Sequence, residues 1–187
     1  MNRDKIGVIH GRFQGFHNGH LEYLLAGKSR CDHLVIGITN FLCTAKSERI
    51  SSIDNHRLTA HANPFTYFER MEMIRLALLE NNVKESAFSI VPFTIEQPEQ
   101  LFNFVPRNAV YYITIYDDWG REKLRILKEL NLNVDIMWER TEDQKPVSGT
   151  LVRARIRSGE DWEQLVPKSV AQYIKEHNLE AAVKNNA

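Results

Sequence analysis

The sequence predicts an α/β fold built on a parallel sheet. Three features carry this reading: short apolar runs alternate with amphipathic stretches, the runs lack the in-and-out pattern of a half-solvated sheet, and a glycine-bearing turn joins the first run to a helix. That first unit is Ile6 to His10, then Gly11-Arg12-Phe13-Gln14-Gly15-Phe16-His17-Asn18-Gly19-His20, then Leu21 to Lys28. A strand feeding a helix through a tight loop leaves backbone N–H groups unpaired at the positive end of the helix dipole, so anions collect there. Gly11 permits close approach of a ligand to the backbone, and Arg12 adds a rigid fork of donors. His17 and His20 lie three apart, and if both are helical they share a face. Two histidines at this spacing are commonly surface or capping groups, but here the glycines, the arginine and the apolar strand agree on a phosphate site.

The later elements follow in order. His33 to Asn40 reads as the second strand, which puts Thr39 and Asn40 at its carboxyl end. Residues 41 to 63 form a long polar excursion with Lys46, Arg49 and Arg57, read equally as a lid reaching a ligand or as a solvated surface loop. Thr66 and Glu69 make a capping box for a helix through Leu78, with Arg70 placed to face the open end of the sheet. Phe88 to Pro92 is the third strand; Thr94 to Arg107 is a short helix or turn.

Ala109 to Tyr116 is the fourth strand, Asp117 to Gly120 its exit turn and Arg121 to Leu130 a helix. Ligands of open parallel sheets bind at the carboxyl ends of strands. Thr114, Tyr116, Asp117, Asp118 and Trp119 are therefore candidates to read a base or an acceptor, with Trp119 as a stacking plate; capping a helix is the commoner use of such aspartates. Asn133 to Trp138 is the fifth strand. Ser148-Gly149-Thr150 then enters a helix carrying Arg153, a second anion-binding helix start. Residues 159–187 read as helical packing with a frayed polar tail.

Composition bounds the function classes. The 187 residues fit one domain, with residues 1–158 as core and 159–187 as a C-terminal helical extension. Lys plus Arg equals Asp plus Glu at 24 each, so no global field recruits nucleic acid. Cys31 and Cys43 are too few for a disulfide framework or metal cluster. No apolar run approaches the ~20 residues of a membrane span, and the expectation is a cytoplasmic protein with no membrane partner. A homo-oligomer is compatible with the sequence.

With these residues in hand, the chain resembles the nucleotidyltransferase superfamily whose signature is G-x-F-x-x-x-H-x-G-H, matched by Gly11, Phe13, His17, Gly19 and His20. Ser148-Gly149-Thr150 with Arg153 is similar to its second signature. Asn63-Pro64-Phe65-Thr66 with Glu69-Arg70-Met71, and Leu165-Val166-Pro167, further resemble archaeal-type nicotinamide mononucleotide (NMN) adenylyltransferases. The resemblance implies a Rossmann-like five-stranded parallel sheet with helices on both faces. It also implies attack of an acceptor phosphate or phosphonate on the α-phosphorus of a nucleoside triphosphate, with pyrophosphate leaving. On this reading His17, His20 and Arg153 are catalytic. Gly11, Arg12, Phe13, Asn18, Gly19, Ser148, Gly149 and Thr150 bind the nucleotide. Magnesium arrives with the triphosphate, and no protein metal cage is expected.

The chain departs from the adenylyltransferase pattern at Gly15, usually proline there, and at Thr114 to Trp119, where a Thr-Gly-Asn turn is expected. These departures favour CTP and a small phospho-acceptor, as in related cytidylyltransferases. ATP with NMN is the second reading, and a nucleotide sensor without turnover the third. Aminoacyl-tRNA synthesis, which shares the histidine motif, is disfavoured by the short, neutral chain.

Overall fold

A computed structural model of the chain describes residues 3–41, 59–141, 144 and 147–185. Arg57 and most of the polar excursion, the lid question included, lie outside the described residues. Two compact units interleave along the sequence: Met1–Gly11 with Glu22–Thr39 and Val83–Pro146, and Arg12–Leu21 with Asn40–Asn82 and Val147–Ala187.

The first unit is built on a sheet. Its strands are β1 (Asp4–Gly11), β2 (Cys31–Ile38), β3 (Phe88–Pro92), β4 (Val110–Ile115) and β5 (Asn133–Glu139), all parallel, in the order β3-β2-β1-β4-β5. This is the Rossmann-like arrangement, in which the winding reverses at β1. The expected second strand overruns by two residues. It stops at Ile38 because Asn40 takes a left-handed conformation (φ +49°), while the Thr39 N–H bonds back to the Gly11 carbonyl.

Alternation along β1 assigns its two faces. Val8 joins a core with Val35, Ile95, Tyr111, Ile113 and Leu127, the last from helix α3 (Asp118–Glu129). Ile9 turns the other way, toward helix α1 (Asn18–Arg30), where Gly27 is needed: a Cβ there would lie 2.3 Å from the Ile9 side chain. On that face the Tyr23 hydroxyl donates to the Tyr112 carbonyl at 2.5 Å, and burial drives the Tyr23 phenol pKa far upward. Helix α3 begins earlier than the sequence suggests, because Asp117 caps it; Asp118, Trp119 and Gly120 are its first turn rather than a free exit turn.

The second unit is helical. Helix α2 (Tyr67–Glu80) opens with the expected capping box of Thr66 and Glu69. It packs on α5 (Lys168–Glu176), and α4 (Gly149–Ser158) packs on α6 (Leu179–Asn185). The expected frayed tail is helix as far as Asn185, because Leu179 and Val183 are buried and Arg157 holds the Val183 carbonyl at 3.1 Å. No described helix is long and apolar enough to cross a membrane.

His10, the next-to-last residue of β1, is 4% exposed. Its ring lies parallel to Phe93 with centroids 4.3 Å apart. Gly37 of β2, opposite His10 in register, makes room for that stack: a Cβ there would meet the Phe93 ring at 2.4 Å. Replacing Gly37 with alanine is expected to cost about 1–3 kcal/mol through overpacking, read as a lower urea midpoint at unchanged slope. An unchanged midpoint would show that Phe93 moves aside freely.

Burial, with the Lys123 ammonium adding to it, holds the His10 pKa well below its ordinary value of 6.5. Below that pH the unfolded chain binds a proton that the folded chain refuses, so stability is full above pH 6.5 and falls as pH falls. The urea midpoint is expected to decline between about pH 7 and pH 5. The decline should be shallower in His10→Phe, and equal slopes in the two proteins would refute the assignment.

Candidate active site

The loop from Arg12 to His17 is set by two left-handed residues, Phe13 (φ +53°) and Gly15 (φ +76°). Glycine holds the second at little cost, whereas Phe13 occupies a conformation unfavourable to an aromatic residue and needs support. Support comes from full burial of the Phe13 ring and from Gln14. The Gln14 side-chain amide donates to the Phe65 carbonyl at 2.9 Å and accepts from the Phe65 N–H at 3.1 Å. Nothing in the sequence pattern singled out Gln14, since a buried glutamine is recognisable only from its partners.

The two histidines come together, but not as two members of one helical turn. α1 starts at Asn18, and His17 precedes it as a cap. His17 Nδ1 accepts from the His20 backbone N–H at 3.2 Å, and His20 Nδ1 accepts from the His17 N–H at 3.4 Å. This is a capping box made of imidazoles. The rings stack at 3.6 Å with 20° between their planes, while Phe13 meets His20 edge-on at 5.0 Å. Because each Nδ1 accepts, the neutral tautomer of each ring carries its proton on Nε2. Burial first, then the charges of His17 and Arg12, hold the His20 pKa well below 6.5, so at neutral pH it is an uncharged N–H donor. Asn18, expected to bind nucleotide, spends its exposed side chain on the Gln164 carbonyl at 3.0 Å.

The second helix start belongs to the same unit. Ser148 caps α4 by accepting from the Leu151 N–H at 3.2 Å. Gly149 is required sterically: a Cβ would sit 2.4 Å from the Gln14 carbonyl oxygen. Arg153 is 4% exposed and donates to that carbonyl at 2.8 Å, with the Thr150 hydroxyl 3.4 Å from its Nη2. Its buried Nε has no hydrogen-bond partner among the described residues. Burial, then Arg157, lowers its pKa to about 10, which leaves it cationic at pH 7. Neither α1 nor α4 carries an acid in its first turn, so no side-chain carboxylate there offsets the helix dipoles.

Other candidates are placed differently. Arg70, expected to face the open end of the sheet, is fully buried, and its guanidinium donates to the carbonyls of Arg12, Asn40 and Thr66. It braces the loop. Asp117 is occupied as the α3 cap, accepting from the Gly120 N–H at 2.8 Å. Trp119 is half-buried and packs against the sheet core. Thr114 sits at a register irregularity of β4, and Thr39 is buried beside the end of β1. Tyr116 and Asp118 do line a cavity of about 280 Å³ at the carboxyl ends of β4 and β5. Arg121, Arg140 and Thr141 line it too. Sequence reading passed over these three, although a fifth strand ending beside the fourth was the available signal. No group of three metal-binding side chains occurs among the described residues.

The sequence matches the family described as cytidylyltransferase-like over residues 8–155. It is 46% identical over 178 residues to the phosphonoformate cytidylyltransferase of Streptomyces viridochromogenes, with 95% of each chain covered. It is 33% identical to the nicotinamide-nucleotide adenylyltransferase of Thermococcus kodakarensis, covering 92% of this chain and 83% of that one. Among solved structures, a bifunctional NMN adenylyltransferase/ADP ribose pyrophosphatase from Francisella tularensis superposes with a TM-score of 0.65 at 16% identity. That match covers 97% of this chain and 52% of the other, and at such identity it speaks for the fold alone. The chain is a nucleotidyltransferase and belongs to the cytidylyltransferase-like family.

Proposed function

We propose that this enzyme transfers the cytidylyl group of CTP to a small carboxylated phosphonate. The similarity to phosphonoformate cytidylyltransferase, 46% identity over 95% of both chains, carries this reading. A phosphonate oxygen attacks the α-phosphorus of CTP and forms a new P–O bond. The bond from that phosphorus to the bridging oxygen breaks, and its electrons leave with pyrophosphate. Such a transfer needs positioning and charge stabilisation rather than covalent help from the protein.

The side chains of the helical unit suit those tasks. His17 and His20 present Nε2–H donors to the α and β phosphates, where charge grows as the bond breaks. Arg12 and Arg153 supply fixed positive charge, and the orphaned Nε of Arg153 is satisfied by a phosphate oxygen. Ser148, Thr150 and the first N–H groups of α4 hold the outer phosphates. Tyr116 and Asp118 are the candidates to meet the base. The donor set of imidazole, guanidinium, hydroxyl and amide N–H suits anions, not cations, so magnesium belongs to the triphosphate as part of the substrate.

The second reading is adenylyl transfer from ATP to NMN, favoured by the archaeal relatives at 33% and 32% identity. Pyrophosphate release is to be measured with each of the four ribonucleoside triphosphates against phosphonoformate and NMN. Turnover with CTP and phosphonoformate is expected; turnover with ATP and NMN alone would replace the first reading by the second. His20→Ala is expected to lower kcat by about 100-fold or more, the usual loss of one preorganised donor. Near-normal turnover in that variant would remove His20 from the mechanism.

A further inference from the structure

We infer that Gln14 is a positioning residue for the transfer step and acts through Arg153. Its role rests on the proposed reaction, in which Arg153 meets phosphate, and adds what aims that guanidinium. Every residue involved lies in the helical unit.

Gln14 is 2% exposed, and a polar side chain buried to that degree must have its hydrogen bonds met. One residue meets both halves of its amide: Nε2 donates to the Phe65 carbonyl at 2.9 Å, and Oε1 accepts from the Phe65 N–H at 3.1 Å. Two bonds to a single residue fix both the place and the plane of the amide, and the side chain carries that constraint back to its own backbone. Gly15, left-handed at φ +76°, turns the peptide that follows. The Gln14 carbonyl then faces the start of α4, where it accepts from Arg153 Nη1 at 2.8 Å. This is the shorter of the two hydrogen bonds that the guanidinium makes among the described residues; the other reaches the Thr150 hydroxyl at 3.4 Å.

Arg153 depends on this bond in a way that the histidines do not. His17 and His20 anchor each other, each Nδ1 accepting from the backbone N–H of the other residue three positions away. The short bond of Arg153 goes to a residue 139 positions away in sequence. Gly149 lets that bond form, since a Cβ there would lie 2.4 Å from the Gln14 carbonyl oxygen and 3.2 Å from Arg153 Nη1. A planar guanidinium held at one nitrogen presents its other donors in fixed directions. Losing the Phe65 pair releases the Gln14 carbonyl, and with it the aim of Arg153. A displacement of about 1 Å is enough to cost ~100-fold in a reaction that runs on placement. The loss belongs in kcat, because charge on the departing pyrophosphate grows only as the bond breaks.

The test uses the full chain and two replacements of similar size. Gln14→Met removes both amide bonds. Gln14→Glu keeps them only while protonated: a carboxylic acid offers one donor and one acceptor, as the amide does toward Phe65, whereas a carboxylate donates nothing. Pyrophosphate release from CTP and phosphonoformate is measured under conditions where urea curves show every variant folded. Gln14→Met is expected to lower kcat by about 10- to 100-fold and to change either KM by no more than about threefold. In an Arg153→Ala background the same replacement should cost no more than about twofold, because the group it aims is gone. Burial pushes the introduced carboxyl above its ordinary pKa of about 4.3, so kcat of Gln14→Glu relative to the unaltered enzyme should rise as pH falls from about 8 to 5. Unchanged kcat in Gln14→Met, even with a lower urea midpoint, overturns the assignment, as does an equal loss in both backgrounds or a flat pH ratio. Near-normal turnover in Arg153→Ala removes its phosphate role and this one together. The ¹⁵N signal of the Arg153 Nε–H, identified by its loss in Arg153→Lys, needs no turnover and should shift in Gln14→Met. If it shifts but CTP and phosphonoformate give no pyrophosphate, Gln14 still aims Arg153 and the reaction is wrong. If turnover proceeds while neither the signal nor kcat responds to Gln14→Met, the positioning role falls alone.

Discussion

The helical unit depends on the hydrogen bonds of one neutral residue, Gln14. Its side-chain amide pairs with both backbone groups of Phe65, and its own carbonyl receives the Arg153 guanidinium. Three segments distant in sequence, the loop after β1, the approach to α2 and the start of α4, therefore meet at one residue. A loop with Phe13 and Gly15 in left-handed conformations relaxes unless its surroundings over-determine it. Gln14 does so with bonds that neither titrate nor screen, and Arg70 adds a second brace on the Arg12 carbonyl. The two positively charged braces are aimed at carbonyl oxygens, so they stabilise the loop without neutralising the site with carboxylates.

That choice governs the electrostatics. An arginine paired to a carboxylate presents little net charge to a ligand, whereas one held by carbonyls keeps its full charge available. Arg153 is held in this manner, with its pKa lowered to about 10 but still well above neutrality. His20 complements it by being neutral. Two imidazolium ions stacked at 3.6 Å would repel strongly, and the arginines nearby would add to that repulsion. A neutral His20 avoids this, and with both Nδ1 atoms fixed on backbone N–H groups each ring keeps Nε2 as its N–H donor. Fixed charge thus comes from arginine, while oriented dipoles come from histidine.

The parts of this protein that were legible in its sequence are those where one residue pattern has one physical outcome. Continuous apolar runs gave the five parallel strands, and Thr66 with Glu69 gave a capping box, because each pattern is decided within a few residues. The histidine motif likewise lies at a helix start, as its position after the first strand implied. What stayed hidden was decided by partners far along the chain. Arg70 read as a free cation because burial against carbonyls 30 and 58 residues away leaves no local trace. The start of α3 moves by three residues once Asp117 caps it, which places Trp119 in the first helical turn, half-buried against the core. His10 passed as an ordinary strand residue, since nothing nearby in sequence shows that its ring nitrogens would be buried without partners.

Phosphoryl-transfer chemistry and acceptor choice make different demands on a fold of this kind. The transfer site needs donors that are already in place before charge develops, and in the proposed reaction the braced loop and the two helix starts are the parts suited to supply them. Acceptor choice needs a few polar atoms whose desolvation is recovered only by the right partner, because an unpaired buried donor rejects a wrong ligand more strongly than a snug apolar wall does. A family that keeps the first set of residues and varies the second can move one reaction among many acceptors.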